Sequence, residues 1–135
     1  MANNMTPEQQ ATKQHLLDEM ADYGKRLEEL ATANTGKYVV AGYAGNTTDT
    51  NKLYCFCGEG NGYKGAPIVP ANGTAVVFTN KAAAERKASL LKYSNGYGER
   101  ITLRAMPAAE YFWLVFDETC KAMQAAEQLA NENAH

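Results

Sequence analysis

The sequence predicts an α+β domain, an antiparallel sheet of about four strands covered on one face by helices. Three observations predict it. Apolar residues recur at helical spacing near both ends of the chain. The middle, residues 37–79, is rich in β-branched and aromatic residues broken by glycine, asparagine and proline. An alanine-rich segment after it offers a further helix. The expected order is α-β-β-β-α-β-α in a single domain, residues 1–135.

The first helix is expected over about 6–34. Thr6 can cap it, Pro7 suits its first position, and Gln9 completes a capping box. Leu16, Met20, Tyr23, Leu27 and Leu30 follow at spacings of 4, 3, 4 and 3, an apolar seam on one face. Two strands are expected at 37–43 and 52–57, joined by the polar loop 45–51, and a third at Ala75–Phe78. Thr79 and Asn80 offer capping oxygens to a helix over 81–94, whose apolar stripe is Ala84, Ala88 and Leu91. Ile101, Leu103 and Ala105 alternate with polar neighbours and predict a strand over 100–106. Residues 110–116 have β-rich composition, yet Phe112, Phe116, Thr119, Met123, Ala126 and Ala130 keep helical spacing. One helix over about 108–130 is the choice, against a fifth strand through Phe116 and a shorter helix after it.

Composition bounds the function classes. Apolar residues make up 45% and charged residues 21% of 135, a globular balance. The net charge of −2 supplies no global basic field for nucleic acid or anionic lipid. No apolar run approaches the ~18 residues of a membrane helix, and no signal-peptide pattern opens the chain. Three cysteines, Cys55, Cys57 and Cys120, are expected reduced and buried, which with the missing signal predicts a cytoplasmic protein.

The string Gly60-Asn61-Gly62-Tyr63-Lys64-Gly65 matches a dinucleotide-loop pattern and follows a strand. The pattern requires a helix to open at the last glycine, so that its N-terminus can face phosphate. Pro67, Pro70 and Gly73 forbid that helix, so the string is read as a mobile turn between strands. Tyr63 and Lys64, framed by Gly60, Gly62 and Gly65, remain candidate binding residues because long glycine-rich loops often carry contacts. No metal, cofactor or catalytic residue is expected. His15 and His135 are the only histidines, Cys55-x-Cys57 lacks zinc-knuckle spacing, and nothing brings Asp49 to Glu59 as an acid–base pair.

Charge is unevenly spread. Lys81 to Arg104 holds six basic residues and two acids, Glu110 to Glu132 five acids and one lysine, and Glu8 to Glu29 six acids and three basic residues. Arg86, Lys87, Lys92, Arg100 and Arg104 are therefore candidates for an acidic partner. The run Tyr111–Phe116 is apolar nearly all round, which predicts a homodimer burying Trp113 or Leu114. Eight tyrosines, several near strands and loops, suit a wet interface.

Together these features predict a small non-enzymatic protein-binding module, regulatory, accessory or inhibitory, with another protein as partner. Two alternatives stand beside it. One is a small-molecule binder or enzyme with a pocket at a subunit interface, and the other is a weak nucleic-acid binder, a partner class the charge balance disfavours.

Overall fold

The computed structural model describes residues 6–95 and 97–133. Helix α1 runs Pro7–Ala33, strand β1 Tyr38–Tyr43, β2 Leu53–Phe56, β3 Ile68–Pro70, helix α2 Lys81–Leu90, β4 Tyr93–Ser94, β5 Arg100–Ile101, β6 Arg104–Pro107 and helix α3 Ala108–Asn133. The main sheet is antiparallel in the order β3-β2-β1-β6, and β4 and β5 form a separate two-stranded ribbon. The fold of the described residues is α+β, with three helices and a four-stranded sheet.

Capping chemistry sets the helix starts. The Thr6 Oγ1 accepts from Gln9 N at 3.1 Å, and Gln9 Oε1 accepts from Thr6 N at 2.8 Å, closing the capping box. The Asn80 Oδ1 accepts from Ala82 N at 2.8 Å and Ala83 N at 3.3 Å. Asn80→Ala leaves both N–H groups to solvent and is expected to cost about 1 kcal/mol. The check is a lower urea midpoint at unchanged slope.

Helices cover both faces of the sheet rather than one. Val39, Ala41, Leu53, Cys55 and Met106 face α1 and α3, together with Leu27, Tyr111 and Phe112. Val40, Phe56, Ile68 and Ile101 face α2 through Ala84 and Ala88. The reason lies in the strands. Tyr-Val-Val-Ala-Gly-Tyr and Leu-Tyr-Cys-Phe are apolar at successive positions, as strands buried on two sides must be. Alanine at 84 and 88 lets α2 lie close to the sheet.

The third strand also differs. It is Ile68–Pro70, inside the Gly/Pro stretch, with Val69 opposite Cys55 and Ile68 opposite Phe56. Proline is tolerated there because β3 is an edge strand. Residues 75–78 form no named strand. They fill the place beside β1 that β2 vacates, through a bridge of Phe78 to Tyr38 and a 3.0 Å bond from Val76 N to Phe56 O. Their alternation survives: Ala75 and Val77 turn to α1 and α3, Val76 and Phe78 to α2.

The strand expected over 100–106 runs beside β1 in one register, Tyr38 opposite Pro107, Ala41 opposite Arg104 and Ala44 opposite Ile101. It is interrupted at Thr102 and Leu103, where the backbone presses on Gly42. Helix α2 stops at Leu90 instead of 94, because Tyr93 and Ser94 leave to pair with Ile101 and Arg100.

The run 110–116 is helical. Tyr111, Phe112 and Val115 enter the core, Leu114 and Phe116 pack at its margin, and Trp113 is 43% exposed. The seam of α1 is rotated from the expected one. Leu17, Gly24, Leu27 and Ala31 are buried, whereas Leu16 is 49% exposed. The Phe116 ring packs beside Gly24, where even a Cβ would meet it at an ordinary 3.5 Å. At 27 and 26 residues, α1 and α3 are each about 40 Å long. Before Leu17 and after Val115 no described side chain is fully buried.

Candidate functional site

The glycine string lies in the connection from β2 to β3 and opens no helix. A single 3-10 turn, Tyr63–Gly65, is followed by β3. Gly58, Gly60, Lys64 and Gly65 all have positive φ. Gly62 does not, but a Cβ there would stand 2.0 Å from Ala66 O and 2.6 Å from Val69 Cγ1. The glycines therefore serve a tight backbone fold. The base of the connection is closed by Cys57 N–H to Pro67 O at 2.9 Å. Lys64 is exposed in a left-handed conformation. The side chain of Tyr63 lies outside the described part of the chain.

Beside this connection runs a groove of about 480 Å³. Phe56 and Phe78 form its floor, their ring centroids 6.4 Å apart, with Val76 next to them. Helix α2 supplies one wall through Ala83, Arg86, Lys87 and Leu90, and the loop adds Glu59. Leu90 is 74% exposed. The Lys87 Nζ lies 5.0 Å from the Phe56 ring centroid and 3.0 Å from Glu59 Oε1. Arg86 has no ion-pair partner among the described residues. The arrangement can hold an apolar side chain on an aromatic floor beside one uncommitted cation.

The groove thus joins part of the expected loop to part of the basic stretch. Arg86 and Lys87 line it, while Lys92 and Arg100 line a separate hollow between the end of α2 and residues 100–103. Arg104 stands on β6, opposite Ala41. The five basic residues do not form one patch. The sequence reading missed Phe56, Val76, Phe78 and Leu90 as site residues. A signal was available for Leu90, which falls off the Ala84–Ala88–Leu91 stripe and has no intramolecular reason to be leucine.

Beneath α1 and α3 lies a partly buried polar cluster around the buried Tyr111. The Tyr111 hydroxyl donates to Asn72 O at 2.7 Å and accepts from Asn72 N at 2.9 Å. Tyr23 Oη accepts from Gly73 N at 2.9 Å. Asn72 Oδ1 in turn accepts from Thr74 N at 2.7 Å and from Thr74 Oγ1. Two helices thereby pin one turn. Burial pushes the Cys55 thiol up, partly offset by its hydrogen bond with Tyr111. Burial, with the neighbouring Cys55, also raises the Tyr111 hydroxyl well above its ordinary range. Cys55 is consequently a protonated, unreactive thiol. In the native protein iodoacetamide is expected to modify half-exposed Cys120 well before buried Cys55 and Cys57, and all three only after denaturation. Intact-mass measurement over time checks the order.

The remaining candidates stay apart. His15 sits on the exposed face of α1, its Nε2 3.1 Å from Glu19 Oε1, and His135 lies outside the described residues. Asp49 and Glu59 flank opposite ends of β2. Among the described residues no cluster of three or more potential metal ligands occurs, and no helix is long and apolar enough to cross a membrane. On the β4–β5 ribbon, the Asn95 hydrogen bond and then Lys52, 3.0 Å away, hold the Glu99 carboxyl below its usual range.

No family model matches this sequence, and neither a curated protein nor a solved structure resembles it significantly.

Proposed function

We propose that this protein is a non-enzymatic binding module, a regulatory, accessory or inhibitory protein of the cytoplasm, that docks a segment of another protein in the α2 groove. The observation that carries the reading is Leu90, 74% exposed beside an aromatic floor in a groove of about 480 Å³. Leu90 is not isolated but continues the apolar lining of Phe56, Val76 and Phe78 out to the surface, and contiguous exposed apolar surface marks interaction sites. The matching segment places one bulky apolar side chain on Phe56 and Phe78 and an acidic residue against Arg86. Lys87 is already engaged with Glu59 and Phe56, so it shapes the groove rather than recruiting charge.

A photo-crosslinking amino acid in place of Leu90, expressed in the protein's own host, tests this. The expected result is an adduct with one other protein, its linked peptide holding an apolar residue close to Asp or Glu, and the adduct is lost with Arg86→Glu. No adduct, or adducts only with further copies of this chain, overturns the reading.

The module is further proposed to be a homodimer. Trp113 is the anchor, because its indole stays 43% exposed while edge-on to Phe116 at 5.1 Å. Leu114 is partly buried against the protein's own core and would sit at the margin of that contact. Light scattering that returns monomer mass throughout the micromolar range counts against it.

A further inference from the structure

A second cavity, of about 190 Å³, opens on the other side of the sheet from the α2 groove, where α1, α3 and the turn Thr50–Lys52 meet. Most of its wall is apolar, formed by Leu53, Leu114, Val115 and Ala122. Its polar end is formed by Glu118, whose Oε2 accepts from Thr50 Oγ1 at 2.5 Å. Among the described residues Glu118 has no ion-pair partner. Its other hydroxyl-bearing neighbours are engaged elsewhere. Thr119 Oγ1 donates to Val115 O at 2.9 Å, and Tyr23 Oη takes the Gly73 N–H.

A half-buried carboxylate satisfied by one hydroxyl keeps acceptor capacity for a strong donor. Beside a hydrocarbon wall, the donor that fits best is a cation carrying its own apolar body. A cavity of ~150 Å³ is known to hold a benzene ring, which sets the size of that body. We propose that this cavity is a binding site for a small ammonium compound, a primary amine on a compact apolar group, with the ammonium on Glu118 and the hydrocarbon against Leu53, Leu114 and Val115. Both elements that frame the mouth are covalently continuous with the core. Thr50 leads directly into β2, and Glu118 follows Val115 on α3 by less than a turn. The site uses no residue of the α2 groove, so its success or failure leaves the docking reading untouched.

Methyl-labelled NMR titration with benzylamine, and with benzyl alcohol as its neutral near-isostere, tests the assignment. Benzylamine is expected to shift the methyls of Leu53, Leu114 and Val115 saturably, and to bind at least about tenfold more tightly than the alcohol, as a charge-assisted bond requires. Glu118→Gln keeps an acceptor for Thr50 and is expected to bring the amine down to the level of the alcohol without changing the fold. Ala122→Leu, at an exposed position on the cavity wall, fills the space and abolishes both. Equal binding of amine and alcohol to the unmodified protein overturns the proposal, as does an amine preference that survives Glu118→Gln. The absence of any saturable shift in the millimolar range overturns it too.

Discussion

Gly42→Ala is expected to destabilise the protein by at least about 3 kcal/mol, a large part of the ~5–15 kcal/mol that holds a domain together. A Cβ at this position would stand 1.9 Å from Thr102 O, 2.6 Å from Thr102 C and 3.0 Å from Leu103 Cα. These are backbone atoms, so no rotamer change relieves the clash. The segment cannot simply lift away. Arg100 O holds Gly45 N at 2.9 Å on one side, and Arg104 is registered on Ala41 on the other. Moving 102–103 outward breaks one of those pairings or bends β1 within the sheet. Gly24→Ala is the control, because its Cβ would meet Phe116 at an ordinary 3.5 Å and alanine favours the helix. Chemical denaturation of both variants should give a neutral or slightly raised midpoint for Gly24→Ala and a collapsed one for Gly42→Ala. Equal midpoints would mean that the 102–103 backbone yields freely.

Tyr111→Phe is the second large effect, expected at about 2 kcal/mol near neutral pH. The hydroxyl is both donor and acceptor to Asn72, so its loss strands a backbone C=O and a backbone N–H at once. The ring itself is retained, and the core volume hardly changes. A pH signature separates this from a packing defect. In the folded protein the Tyr111 hydroxyl is held above its ordinary range and stays protonated. In the unfolded chain it ionises near pH 10. A group raised on folding contributes stability that is fully present below its unfolded pKa and lost as pH rises above it. Above about pH 10 stability should therefore fall by ~1.4 kcal/mol per pH unit from this group alone. Cys55, also raised, begins its own loss lower, above about pH 8.5. Tyr111→Phe removes the first contribution, so its stability should decline about one proton less steeply than that of the unmodified protein. Urea titrations from pH 8 to 11 measure the difference, and parallel slopes would refute the buried-hydroxyl account.

Local chemistry was legible in the sequence wherever one short stretch decides the outcome. The Thr6–Gln9 capping box and the helical spacing beyond Phe112 appear in the structure as read, and of Thr79 and Asn80 it is Asn80 that caps α2. The rejection of a phosphate loop rested on Pro67 and Pro70, and those prolines do exclude a helix there. The same prolines hid β3, because a proline rule argues against central strands and says little about edges. The second covered face was readable in principle. Val39, Val40 and Ala41 are consecutive and all buried, a pattern that alternation does not produce. The close approach at Gly42 was not readable, since it joins residues 60 apart through a pairing register that one sequence does not fix. The α2 groove escaped for a related reason. Phe56, Val76 and Phe78 read as core positions, and only the three-dimensional path of 75–78 brings them to an open surface.

The charges differ between layers. Helices α1 and α3 carry net charges of −3 and −4 on one side of the sheet, while α2 on the other side carries +2, from Lys81, Arg86 and Lys87 against Glu85. The overall −2 therefore conceals an uneven split of charge between the two faces of the sheet. A charged partner approaching within a Debye length of ~8 Å at physiological salt feels the near face, not the sum. The field exerts a torque before any contact is made, turning the α2 groove toward acidic surfaces and the long helices away from them. The protein's encounters are oriented by that field, whatever chemistry then fixes the complex.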